Sequence, residues 1–133
     1  MLLACSSPVP LGNGTLAGTL PSGWHDVALD GEWIPPDAVL VIHDDTVPLP
    51  LEIVVRRPAD PPDQAGHGWV QIDDLTVPAP QTRVGDGWQD NTRRIHRYRK
   101  VFVGGAVFEA DVQVEVGQGP ALRFLRSLRL VAR

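Results

Sequence analysis

From residue 24 onward this chain is built of short apolar runs, most of them alternating with polar residues and cut off by glycine or proline. His25, Val27, Leu29, Gly31 and Trp33 fall on one side of an extended chain. Asp26, Ala28, Asp30 and Glu32 fall on the other, and Pro35-Pro36 ends the run. Alternation with period two predicts a half-buried strand. Ala38 to Ile42 is a continuous apolar run. Leu49, Leu51, Ile53 and Val55 then alternate against Pro50, Glu52, Val54 and Arg56. Trp69 to Val77 is a further strand whose alternation slips at Asp73-Asp74, which predicts a bulge. Residues 58–68 and 78–92 read as loops, and no segment reads as a convincing helix. The chain is therefore expected to be all-β, a small antiparallel β-barrel or β-sandwich of six to eight strands. At 133 residues it fits one domain. Residues 24–133 are assigned to that domain and residues 1–23 to a weakly structured N-terminal arm, with a poor first strand at Thr15 to Leu20 as the alternative.

Apolar content of 43% and charged content of 21% are those of a globular protein. The net charge of −4 hides an asymmetry: residues 1–82 carry eleven acids and two bases, whereas residues 83–133 carry ten bases and five acids. Such a chain neutralises itself between strands, so its basic half need not imply an external polyanion. Arg93 to Lys100 holds five bases interleaved with His96 and Tyr98. That invites a nucleic-acid reading, which the acidic whole disfavours; no nucleic-acid partner is expected. No apolar run reaches membrane-spanning length. Cys5 is the only cysteine, so no disulfide forms within the chain. Leu2-Leu3-Ala4-Cys5 resembles a lipoprotein cleavage box but lacks the segment that should precede it. A cytoplasmic location is expected, or an exported lipoprotein anchored at Cys5 if the true start lies upstream.

Catalytic and metal signatures are weak. His25, His43, His67 and His96 lack the spacings of a metal site, and no serine stands in a nucleophile elbow. No metal and no cofactor are expected. Trp24 and Trp88 follow glycine in loop-like segments and are candidate platforms for sugar rings. A faint echo between residues 44–50 and 73–80 fits either duplicated hairpins or two similar turns.

The C-terminal register carries the sharpest inference. A two-residue turn at Gly104-Gly105 pairs Val103 with Ala106. One face then holds Val101–Phe108, Arg99–Ala110, Arg97–Val112 and Ile95–Val114. The other holds Lys100–Glu109, Tyr98–Asp111, His96–Gln113 and Arg94–Glu115. Residues 122–130 are read as a third strand, which adds the ladders Lys100–Glu109–Arg129 and Arg94–Glu115–Arg123. An amphipathic helix after Pro120 also fits residues 122–133, but only the strand brings these charges together. On this register Arg97, Arg99 and Arg126 face the core without partners, and an unpartnered buried guanidinium is prohibitive. The expected function is therefore a small-ligand-binding module. Arg97, Arg99, Arg126 and Trp33 would hold an anionic or carbonyl-rich organic ligand. A cofactor-free isomerase or cyclase in the same pocket and a structural, assembly or carbohydrate-binding sandwich are the alternatives. Whether the chain catalyses a reaction, or forms a homo-oligomer, the sequence does not decide.

Overall fold

A computed structural model describes residues 8–31, 34–45, 51–58 and 68–131. Cys5 and its surrounding box, Trp33, His67 and residues 46–50 of the internal echo lie outside the described residues. The strands are β1 (Val9–Leu11), β2 (Leu16–Gly18), β3 (Trp24–Asp26), β4 (Ala38–Asp44), β5 (Leu51–Arg56), β6 (Val70–Val84), β7 (Gly87–Val101), β8 (Val107–Gln113) and β9 (Arg129–Leu130). A 3₁₀ turn at Val114–Val116 leads into helix α1 (Gln118–Ser127). Two antiparallel sheets result, β1-β2-β9 and β3-β4-β5-β8-β7-β6. Neither closes, so the all-β fold is sandwich-like rather than a barrel.

The core lies on one face of the six-stranded sheet. Leu40, Ile42, Ile53, Val55, Phe108, Ala110, Val112 and Tyr98 point into it. α1 and the small sheet cover them with Ala121, Phe124, Leu125, Leu128, Leu11 and Leu16. Edge-to-face aromatic pairs knit the layers: Trp24 on Phe124 at 5.6 Å and Phe102 on Phe108 at 5.2 Å. The Trp69 indole donates to the Leu125 carbonyl at 2.9 Å. Residues 8–23, read from sequence as part of an arm, supply β1 and β2, and their Leu11 and Leu16 are fully buried. The link between these two strands depends on Gly12. Its φ is +57°, and a Cβ there would lie 2.0 Å from the Val39 carbonyl.

Three expectations are corrected. Residues 118–127 are a helix, not a strand. Pro120 occupies the first turn, where its missing N–H costs nothing. Ala121, Phe124, Leu125 and Leu128 recur at helical spacing, so one face buries against Trp24 and Trp69 while Arg123 and Arg126 stay exposed. Burial of three large apolar residues outweighs the few tenths of a kcal/mol per ion pair that a strand would have gathered. Residues 78–92 are not a loop. β6 and β7 run fifteen residues each and meet at a two-residue turn, Gly85-Asp86, closed by Val84 and Gly87. The bulge expected near Asp73-Asp74 is present as a register shift between Gln71 and Asp73.

The third correction is the β7–β8 register. Phe102 and Ala106 close the connection through a backbone bond of 2.8 Å, so the loop has three residues, with Val103 fully exposed ahead of Gly104 and Gly105. Both glycines have positive φ, as a turn there requires. The extra loop residue moves every pair by one: Lys100 opposes Phe108, Arg99 opposes Glu109, Tyr98 opposes Ala110 and Arg97 opposes Asp111. A slip of one residue exchanges the two faces of a strand. Tyr98 therefore enters the core at 1% exposure, and Arg97 and Arg99 leave it.

Candidate functional site

The outer face of the six-stranded sheet carries an ion-pair network whose rows follow from the pairing. Arg56 of β5, Glu109 of β8 and Arg99 of β7 form one row; Val54, Asp111 and Arg97 form the next. Glu109 receives Arg99 Nε at 3.0 Å and Nη2 at 2.7 Å on Oε2, and Arg56 Nη2 at 2.8 Å on Oε1. Asp111 receives Arg97 Nε at 2.7 Å and Nη2 at 3.1 Å, a bidentate pair. The Arg56 Nε lies 3.4 Å from the same carboxylate without a hydrogen bond, and its Nη1 reaches Asp37 at 3.2 Å. One row further along, Glu52 accepts Arg93 Nη1 at 2.8 Å and shares a 3.0 Å bond with His43 Nε2.

These are not loose surface pairs. The Glu109 side chain is 8% exposed, Arg56 13% and Asp111 14%. The hydrogen bond to Asp111 raises the Arg97 guanidinium above its ordinary value despite partial burial, with further help from the charges of Asp111, Glu109 and Asp73. Arg97 is accordingly a permanent cation with a fixed direction.

Beside the network lies an open cleft of about 440 Å³. Val54, Ile95 and Asp111 belong to its sheet floor; Ile34 and Pro35 come from the β3–β4 connection, and Val77 and Pro78 from β6. Its charged lining is Arg56, Arg93 and Arg97 against Glu52 and Asp111. Both carboxylates are already committed to guanidinium, and Arg56 is held by Glu109 and Asp37, so the cleft offers a ligand the guanidinium N–H groups left outside these bonds rather than an unpaired cation.

Of the residues singled out from sequence, Arg97 lines this cleft. Arg99 lies in the neighbouring row, held by Glu109. Arg126 is elsewhere, exposed on α1, because the segment that was to place it beside Val112 is helical. Trp33 lies outside the described residues. The sequence reading missed Arg56, Arg93 and Glu52. The alternation of β5 had already placed Glu52 and Arg56 on its polar side; the pairing of β5 with β8, set by tertiary contacts, was the missing step. Among the described residues, no three of the metal-binding side-chain types cluster in a way that could hold an ion. No helix among them is long and apolar enough to cross a membrane.

The fold and the cleft together define a class: an all-β sandwich with an ion-paired cleft on the outer face of its larger sheet. No protein-family model matches the chain, and no curated protein or solved structure matches it either.

Proposed function

We propose that the protein is a small-ligand-binding β module whose cleft takes an organic molecule with an anionic or carbonyl-rich end. The observation that carries this reading is the cleft's lining, in which three guanidiniums face two carboxylates over an apolar floor of Val54 and Ile95. The arginines are not waiting for a counter-ion to fold the protein; Asp111, Glu109 and Glu52 already hold them. What those carboxylates supply is preorganisation. A guanidinium pinned along one edge loses little side-chain freedom when its remaining N–H groups meet a ligand. Arg97 binds Asp111 with Nε and Nη2, and Arg93 binds Glu52 with Nη1 alone. Arg97 Nη1 and the Nε and Nη2 of Arg93 take no part in those bonds and are the donors assigned to the ligand. Ile34, Val77 and Pro78 complete an apolar rim for its non-polar body.

Calorimetric titration with benzoate, with benzyl alcohol as the neutral control, tests this reading. Saturable millimolar binding of benzoate, about tenfold weaker for benzyl alcohol and lost in Arg93→Met, supports it. Equal affinity for both compounds, or no benzoate binding at tens of millimolar, contradicts it.

A further inference from the structure

The tip of the β6–β7 ribbon, at the other end of β7 from the core, carries a second arrangement that the cleft does not use. β8 pairs with β7 over Ile95–Val101, so among the described residues, residues 87–94 have β6 as their one strand neighbour. Trp24 and Trp69 are consumed by the core, each 8% exposed, whereas Trp88 is 61% exposed beside the terminal turn. Among the described residues Trp88 is the one tryptophan left outside the core. The indole is fixed. Arg83, directly opposite in the pairing, sets its guanidinium 5.3 Å from the ring centroid, and its own Nε is tied to the Gly85 carbonyl at 3.2 Å. One ring face is thus backed by protein and the other is open.

Asp90, two residues along β7 and so on the same side as Trp88, holds the Gln81 amide through Oδ1, leaving Oδ2 outside that bond. Asn91 braces the ribbon with Nδ2 bonds to the Pro80 carbonyl at 2.9 Å and Thr82 Oγ1 at 2.7 Å. We propose that this tip is a carbohydrate-binding platform for one neutral, gluco-configured pyranose ring of a β-linked chain. Such a ring has equatorial hydroxyls and flat C–H faces. The faces suit the negative face of indole, and the rim hydroxyls suit the Asp90 carboxylate and the Gln81 amide bonded to it. Asp86 and Asp90 beside Trp88 disfavour a polyanion, whether nucleic acid or an acidic membrane, and Val84 is the one large apolar neighbour exposed in the turn.

Indole N–H resonances of the ¹⁵N-labelled full chain test the proposal, with Trp88→Phe assigning the Trp88 signal. The titrants are cellotetraose, chitotetraose, an oligothymidine and vesicles containing acidic lipid. A saturable shift of the Trp88 resonance alone with either tetrasaccharide is expected. Affinity should drop at least about tenfold in Trp88→Ala and severalfold in Arg83→Met, both keeping the native spectrum elsewhere. No shift with either sugar at tens of millimolar, or a response confined to oligothymidine or vesicles, overturns it.

Discussion

The two faces of strand β8 are made from neighbouring residues and stabilise the protein in different ways. Phe108, Ala110 and Val112 enter the core, where contact with α1, β2 and the rest of the sheet depends on shape and area. Glu109, Asp111 and Gln113 face outward, and Glu109 and Asp111 act only through specific arginines on the strands to either side. An apolar face gains buried area against any apolar neighbour, and a slip would still bury something. A charged face has meaning only in one register. That difference explains why Phe108, Ala110 and Val112 were assignable from alternation alone, whereas the arginines beside them were placed on the wrong side.

The largest effects should come from breaking each face at its most buried residue. Glu109→Ala strands the cation of Arg99, leaves Arg56 with Asp37 as its hydrogen-bonded carboxylate, and should cost about 3–5 kcal/mol in denaturant unfolding. Phe108→Ala should cost a similar amount, about 3–5 kcal/mol, through a cavity. The faces separate when the whole charged row is replaced. A triple variant, Arg56→Met with Glu109→Leu and Arg99→Met, should recover most of the loss, because the one carboxylate it leaves without its arginine, Asp37, is partly exposed to water. No such rescue is available at Phe108 by removing its neighbours. A triple variant as unstable as Glu109→Ala would show that packing rather than charge governs this row.

Tyr98 sharpens the comparison from the core side. It is the only tyrosine in the chain, so its titration is read without overlap. Burial raises its phenol above the ordinary 10.0, the charge of Asp74 adds to this, and a hydrogen bond with Gln118 opposes it. A folded value above the unfolded one means that this group's contribution to stability is complete below pH 10. It is lost as the pH rises through the folded value. Alkaline titration should show tyrosinate absorbance appearing late and together with loss of the fold. A tyrosinate signal at the ordinary pH in an intact protein would place Tyr98 outside the core and contradict the register. The smallest effect is expected at Arg126. Exposed on α1, it should tolerate Met within about 0.5 kcal/mol and leave benzoate binding unchanged.

Much of the fold was legible. Strand alternation gave the all-β class, the core residues Ile53 and Val55 of β5 and those of β8, and the bulge in β6; the continuous apolar run of β4 showed a buried strand without telling its faces apart. Residues 78–92 extend the β6–β7 ribbon instead of looping, residues 9–18 hold two strands, and the strand read from His25 onward ends at Asp26. The site turned on two further local decisions that alternation does not contain. At Val103-Gly104-Gly105, a three-residue and a two-residue loop use the same glycines, and the choice moves every side chain of β7 to the opposite face. At Gln118 to Leu128, apolar spacing satisfied a helix while charge matching satisfied a strand, and burial of Phe124 and Leu125 decided for the helix. The site suffered from both. Arg97 was singled out for lacking a partner that Asp111 in fact provides, and Arg126 was brought into a row it does not join. Arg56, Arg93 and Glu52 went unnoticed because their proximity arises only once β5 meets β8 and β6 and β7 complete the sheet.

The account stands on Arg97 being opposite Asp111, since that pair fixes the register and aims the cleft's guanidinium. A double-mutant cycle with Arg97→Met and Asp111→Asn, read by denaturant unfolding, measures it directly. Coupling of about 1–3 kcal/mol is the predicted result. Additive effects, with coupling near zero, would place Arg97 opposite Val112 after all and contradict both the register and the site built on it.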